Sequence, residues 1–480
     1  MKKYQYILIS LLLISNTLTA QNLTQVSVDK AREVIDQVVE AYGGSERLNK
    51  LNSVMIDFET SNLAVNQSKK PGPPWDVNKV KDSSMVDFEN QQFVSSIQSN
   101  DERNFHNGII INGDKSFQVD FLAKTATPIA EPNFMNTAGS FIRVTPALLV
   151  KQLMQRANTA HYLGQADVDG KPHDVVTLVM EVGPAISLYF DQETHLLNKS
   201  ERFFGVFGMV GYRFHEYKKV DGIPFNGRFE LFVSGENNMK RHNVRTQINQ
   251  PIAKHTQLSD KMAQVAPVQP DPLARQEISD GVYLIGGNGT YALFVEMDDH
   301  VIAIGGTAGI PERIGLLKEV VPNKPIKYGV LTHHHGDHIV GGQAYAEEGT
   351  IILTAAAHEQ VVRDSIEHDS YKLETIKDQR TFTGKQHELQ IIDVGPTDHA
   401  EHILVAYLPK AGILFQADHF GLRSPGNINP AGQATQDFAQ SLKKHKIKAK
   451  SILSAHSALV ATDADLNTAL KLAKELVQKD

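Results

Sequence analysis

Residues 331 to 342, LTHHHGDHIVGG, place four histidines and an aspartate in six consecutive positions: His333, His334, His335, Asp337 and His338, interrupted only by Gly336. The chain holds 20 histidines in 480 residues, so a neighbouring pair would mean little, but five such residues in six positions share a chemistry. Neutral imidazoles and a carboxylate are the donors that suit Zn²⁺, which has no redox chemistry of its own and accepts open coordination. The preceding run, IKYGVLT, reads as a buried strand. Residues two apart on an extended segment face the same way, so His333 and His335 can point at one ion while His334 points elsewhere. Gly336 allows a sharp turn, after which Asp337 and His338 can reach a second ion beside the first.

One cluster cannot close two sites, and further donors stand beside other strand-like runs: His399 in GPTDHAEHILVAYLP, Asp418 in GILFQADHF and His456 in SILSAHSAL. Strand ends are where a layered α/β scaffold presents functional groups. A purely structural role for all seven is disfavoured, because buried histidines and carboxylates without a shared cation are costly.

These motifs, in this order, resemble the metallo-β-lactamase-fold superfamily over about residues 278 to 480. The resemblance implies an αββα sandwich with a dinuclear site at one edge. It assigns His333, His335 and His399 to the first metal, Asp337, His338 and His456 to the second, and Asp418 as the bridge. In that family the third histidine stands about ten residues before the proline that ends the next strand. His399 holds that distance from Pro409, whereas His402 opens the strand and is expected to line the pocket or support the site. Asp398 and His419 flank ligand positions without being assigned as ligands. Two departures are visible: VIAIGGTAG has no aspartate where many relatives carry one that steadies the motif loop, and the last histidine sits in SAHSA without its usual glycine.

Other conspicuous residues read more plainly. His334 is expected to face solvent or pack under the site. GGNGT, residues 286 to 290, lacks the Lys-Ser/Thr of a phosphate loop and reads as a hairpin. Trp75, in KKPGPPWDVN, reads as part of a packed surface loop.

Around these residues the chain divides by pattern. MKKYQYILISLLLISNTLTA, residues 1–20, has a basic start, an apolar run and a small-residue end, the form of a secretory signal cleaved before Gln21. Periplasmic or secreted localisation is the expectation, and cleavage would make the formal net charge of −7 two units more negative. No later stretch approaches the roughly twenty apolar residues of a membrane span. Within residues 21–248, Ile35, Val38, Val39 and Tyr42 mark an amphipathic helix stopped by Gly43-Gly44. Short alternating runs from about residue 53 then predict a mainly antiparallel sheet, with a helix near TPALLVKQLMQRA. Residues 249–276, with four prolines, are expected to be a linker, and residues 277–480 an α/β layered domain. AYGGSERLNKLNSV, the sheet and YRFHEYKKVDGIPFNGRFELFV resemble the periplasmic lipoprotein-carrier (LolA-like) half-barrel, which implies an apolar concavity able to hold an acyl chain. The plainer reading is a lid or dimerisation domain.

Composition narrows the chemistry. With no cysteine, disulfides, thiolate nucleophiles and thiolate zinc ligands are excluded. No basic run or basic-aromatic interleaving marks nucleic acid as a partner, so a small-molecule substrate is expected. The resulting reading is an exported hydrolase with two Zn²⁺ per chain, in which a hydroxide held between the ions attacks an ester, lactone, lactam or related centre. Asp337 is also placed to pass a proton to the leaving group. Two rivals stand beside it: an iron-dependent oxidoreductase on the same fold, since the donors also suit iron, and a non-catalytic acyl or lipid carrier.

Overall fold

The computed structural model describes residues 22–99, 105–205, 207–267, 269, 271–422, 426 and 428–477. The signal segment expected over residues 1–20 lies outside them. Asn22 caps the first helix, Leu23–Ala41, by accepting from the Gln25 amide, and Gly43 and Gly44, at φ 94° and 89°, end it as the sequence predicts. No helix among the described residues is long and apolar enough to cross a membrane.

The N-terminal described residues build a fourteen-stranded sheet. At its middle, Ser53–Leu63 pairs antiparallel with both Val77–Asp87 and Glu236–Ile248. Alternation along that strand buries Val54, Ile56 and Phe58 on one face, where they join Val34 and Val38 of the first helix and Leu148, Leu149 and Leu153 of Pro146–Gln155 in a single core. A further helix, Phe134–Arg143, supplies Ala138, Phe141 and Ile142 to the same core. One face of the sheet is therefore packed with side chains of the protein's own helices. In the segment expected to be a linker, Ala263–Gln264 pairs in parallel with Thr125–Pro128 at the edge of this sheet, and Ala274–Ser279 already belongs to the next one.

The C-terminal residues form two further sheets. The first begins with the antiparallel strands Ala274–Ser279, Val282–Gly287, Thr290–Glu296 and Val301–Ile304, then adds Ile326–Val330, Ile351–Ala355 and Lys372–Ile376 in parallel. The second runs Gln379–Thr383, Glu388–Asp393, Leu404–Leu408, Ile413–Gln416, Ser451–Ser454 and Ser457–Ala461. Leu284, Leu293, Val295, Ile302 and Ile304 face the second sheet across a shared core. Their neighbours Ile285, Ala292, Phe294, Val301 and Ala303 face Ile310 and Ile314 of Ile310–Lys318, Tyr345 of Gly342–Glu347 and Val362 of Glu359–Asp364. With both faces covered, these strands are apolar at successive positions. Gln433–Lys444 and Asp463–Val477 pack against the second sheet through Phe438, Leu442 and Leu466. The order is helix, sheet, sheet, helix, the αββα arrangement expected.

The GGNGT segment is the two-residue turn between Val282–Gly287 and Thr290–Glu296, with Asn288 at φ 52° and Gly289 at φ 74°. Gly306, just after Val301–Ile304, lies against the histidine motif. A Cβ built there would sit 2.3 Å from the His338 carbonyl oxygen and 2.3 Å from Leu331 Cδ2, and the Gly306 carbonyl accepts from the Gly341 amide at 2.7 Å. Gly306→Ala should therefore destabilise the chain by ~1–3 kcal/mol, read as a lowered thermal midpoint; an unchanged midpoint would show that the motif does not depend on this close approach.

Candidate metal centre

The histidine motif leaves the end of Ile326–Val330 in extended form. His335 caps the short helix Gly336–Ile339 with φ −60° and ψ 141°. His333, His335 and His338 are buried, whereas the Asp337 side chain is 53% exposed. The Leu404 amide donates to the Thr332 carbonyl at 2.8 Å, fastening the motif to the second sheet. That sheet presents His399 between Glu388–Asp393 and Leu404–Leu408, Asp418 just past Ile413–Gln416, and His456 in the turn after Ser451–Ser454.

All seven residues singled out in the sequence converge. His333, His335 and His399 form one group whose candidate donor atoms lie within 4.8 Å of one another, Asp337, His338 and His456 a second, and His333, His338 and Asp418 a third that joins them. His399 Nε2 is 3.0 Å from His333 Nε2, and His338 Nε2 is 3.0 Å from His456 Nε2. Asp418 Oδ2 lies 3.4 Å from His333 Nε2, 3.1 Å from His338 Nε2 and 3.3 Å from His399 Nε2, with His456 Nε2 at 2.9 Å from Oδ1. Oδ2 is buried among these nitrogens. Imidazole nitrogens and carboxylate oxygens gathered within 4.8 Å of one another are the donor set that a divalent cation takes, and the residues fit one.

The electrostatics favour the ligating forms. Burial and the neighbouring His338 push His333 well below its ordinary pKa, and burial with His399 takes His335 down to about 4. Burial alone would raise the Asp418 carboxyl, but His338, His399 and His456 outweigh it and hold the group well below the carboxylate range. His456 moves the other way, raised by its hydrogen bond to Asp418.

The neighbours sort as follows. His402 Nδ1 meets Asp393 Oδ2 at 2.6 Å and belongs to none of the three donor groups. His419 stacks on Phe438 and meets Thr397 Oγ1 at 3.1 Å; Asp398 pairs with Lys69. His334 is 1% exposed, so of the two placements expected for it the structure selects packing under the site. Its Nε2 donates to the Ser68 carbonyl at 2.9 Å, which leaves Nδ1 to accept from His358 Nε2 at 3.2 Å. Sequence reasoning missed His358, and it missed residues 66–69, which reach the motif from the N-terminal sheet. A Pro/Gly-rich loop bearing Trp75 was the one local signal there. Beside Asp418 and His456 opens a cavity of about 340 Å³, lined also by Phe420, Leu422 and Ala431.

Solved structures similar to this chain include a metallo-beta-lactamase from Pontibacter korlensis, at 21% identity and a TM-score of 0.35, covering 42% of this chain and 99% of that one. The metallo-beta-lactamase FIM-1 from Pseudomonas aeruginosa in its mono-zinc form matches at 22% identity and a TM-score of 0.32, covering 43% and 96%. One from Hirschia baltica matches at 18% and 0.34, covering 42% and 98%. No protein-family model matches the chain, and no curated protein sequence matches it.

Buried neutral histidines give the metal-free chain a defined acid response. His358 and His419 are both lowered by burial to about 3, with His334 and His399 respectively adding to the effect. Between those values and the unfolded value of 6.5 the unfolded chain binds more protons, so their contribution to stability is complete above 6.5 and is lost as pH falls. His456, raised, acts in the opposite sense but is a single group. Thermal midpoints of the metal-free chain should drop from pH 7 to pH 5, and drop less in His358→Gln; equal drops in both chains would exclude His358 as a source.

Proposed function

We propose that the chain is a metal-dependent hydrolase that binds two zinc ions. The observation supporting this most directly is the convergence of five imidazoles and the Asp337 carboxylate around Asp418, whose carboxylate lies 2.9 to 3.4 Å from four histidine nitrogens. In this reading His333, His335 and His399 hold the first ion, Asp337, His338 and His456 the second, and Asp418 serves both. Divalent cations bound there supply Lewis acidity and make hydroxide available near neutral pH.

The side chains set the remaining chemistry. His333 and His335, buried and neutral, keep lone pairs available without competition from water. Asp337 is the most exposed of the seven. Its Oδ1 accepts from the Gln67 amide at 2.7 Å, and its Oδ2 lies 3.4 Å from His338 Nε2, on the side of the second group. The cavity beside Asp418 and His456 mixes polar groups with Phe420 and Leu422, a lining suited to a small ester, lactone or lactam. Export to the periplasm or outside the cell, read from the leader, belongs to the same proposal.

Screening zinc-loaded protein against ester, lactone, lactam, thioester and phosphodiester substrates tests the reaction class; turnover of at least one class is expected, and none on any class would contradict the proposal. Asp418→Ala should lower turnover by more than about tenfold, and unchanged turnover would remove Asp418 from the centre. His399→Ala should reduce zinc stoichiometry while His402→Ala keeps two ions, as elemental analysis of the two variants side by side would show; the reverse pattern would exchange their roles.

A further inference from the structure

We infer that the loop of residues 66–69, which belongs to the N-terminal sheet, positions two of the proposed metal ligands, so that the N-terminal residues are part of the metal centre rather than a separate module. The inference rests on the metal reading above. It starts from two residues of the histidine motif, His335 and Asp337. His335 is buried, and its ring has two nitrogens to satisfy.

The loop supplies a partner. It connects Ser53–Leu63 to Val77–Asp87 and reaches the C-terminal layers at several points. The Ser68 carbonyl lies 3.0 Å from His335 Nε2 and 2.9 Å from His334 Nε2. A carbonyl only accepts, so His335 carries its proton on Nε2 and keeps the Nδ1 lone pair for an ion. Gln67 Nε2 donates to Asp337 Oδ1 at 2.7 Å, fixing the carboxylate of the second group. The Gly336 amide between these two ligands donates to the Asn66 carbonyl at 3.1 Å. On the other side of the site Lys69 pairs with Asp398, the residue before His399, and the Glu401 amide donates to the Lys69 carbonyl at 2.9 Å. Contacts thus reach both the motif and the His399 loop.

The loop is itself built to hold this shape. Ser68 Oγ donates to the Ala64 carbonyl at 2.9 Å and accepts from the Asp76 amide at 2.8 Å, while Asp76 Oδ2 accepts from the Lys69 amide at 2.8 Å. Ser68 is 2% exposed. Its carbonyl is therefore presented from a fixed frame, which is what orienting a ligand ring demands.

The test uses the full chain with residues 65–75 replaced by a short Asn-Gly turn, and separately Gln67→Ala, with zinc affinity read by competition against a chromophoric chelator and coordination by the visible spectrum of the cobalt-substituted protein. The loop replacement should weaken binding of the first ion about tenfold or more and change the cobalt spectrum, with far-ultraviolet circular dichroism unchanged. Gln67→Ala should weaken the second ion alone. Wild-type affinity and spectrum in a folded loop replacement would overturn the inference, and if that chain does not fold, an unaltered second-ion affinity in Gln67→Ala would overturn it. A wild-type chain that takes up no zinc would instead contradict the metal reading itself.

Discussion

The constraint on which this architecture turns is the crowding of nitrogen and oxygen lone pairs around one buried carboxylate. His333 and His399 approach to 3.0 Å through their Nε2 atoms, as do His338 and His456, and Asp418 Oδ2 sits among them. Rings and a carboxylate packed this closely in a buried place are unfavourable by themselves, because each has given up water. A shared cation removes the conflict. The scaffold's task is to hold these groups close enough for that to happen.

Neither C-terminal sheet could do so alone. The first contributes the 333–338 motif from the end of one strand, and the second contributes His399, Asp418 and His456 from loops after three of its own. Their separation is fixed by the inter-sheet core of Leu284, Leu293, Val295, Leu404, Ala406 and Phe415, all essentially without solvent exposure. The bond from the Leu404 amide to the Thr332 carbonyl ties the two sheets at the site. A change in that core would therefore be felt as a shift between the two halves of the donor set. Gly306 and the 66–69 loop both lie against the motif.

How much of this could be read from the sequence depended on whether the determining contacts are local. His333 and His335 facing one way follows from strand alternation, and the apolar runs of the C-terminal strands follow from burial on both faces. The preference for His399 over His402 came from spacing to Pro409 in the family resembled, and of the two only His399 belongs to the donor groups. Helix Phe134–Arg143 escaped because it is a single short amphipathic stretch inside a strand-rich region, visible only as Ala138, Phe141 and Ile142. Nothing in the sequence joins Gln67 to Asp337, which are 270 residues apart; the pairing is a product of tertiary folding. The buried His334–His358 contact was hidden for the same reason.

Anomalous diffraction at the zinc edge from crystals of the zinc-reconstituted chain tests the central claim most directly. The account predicts two peaks, one within coordination distance of His333, His335 and His399, the other near Asp337, His338 and His456, with the Asp418 carboxylate between them. Absence of any peak at these side chains in a well-ordered crystal, with the seven residues keeping their arrangement, would contradict it.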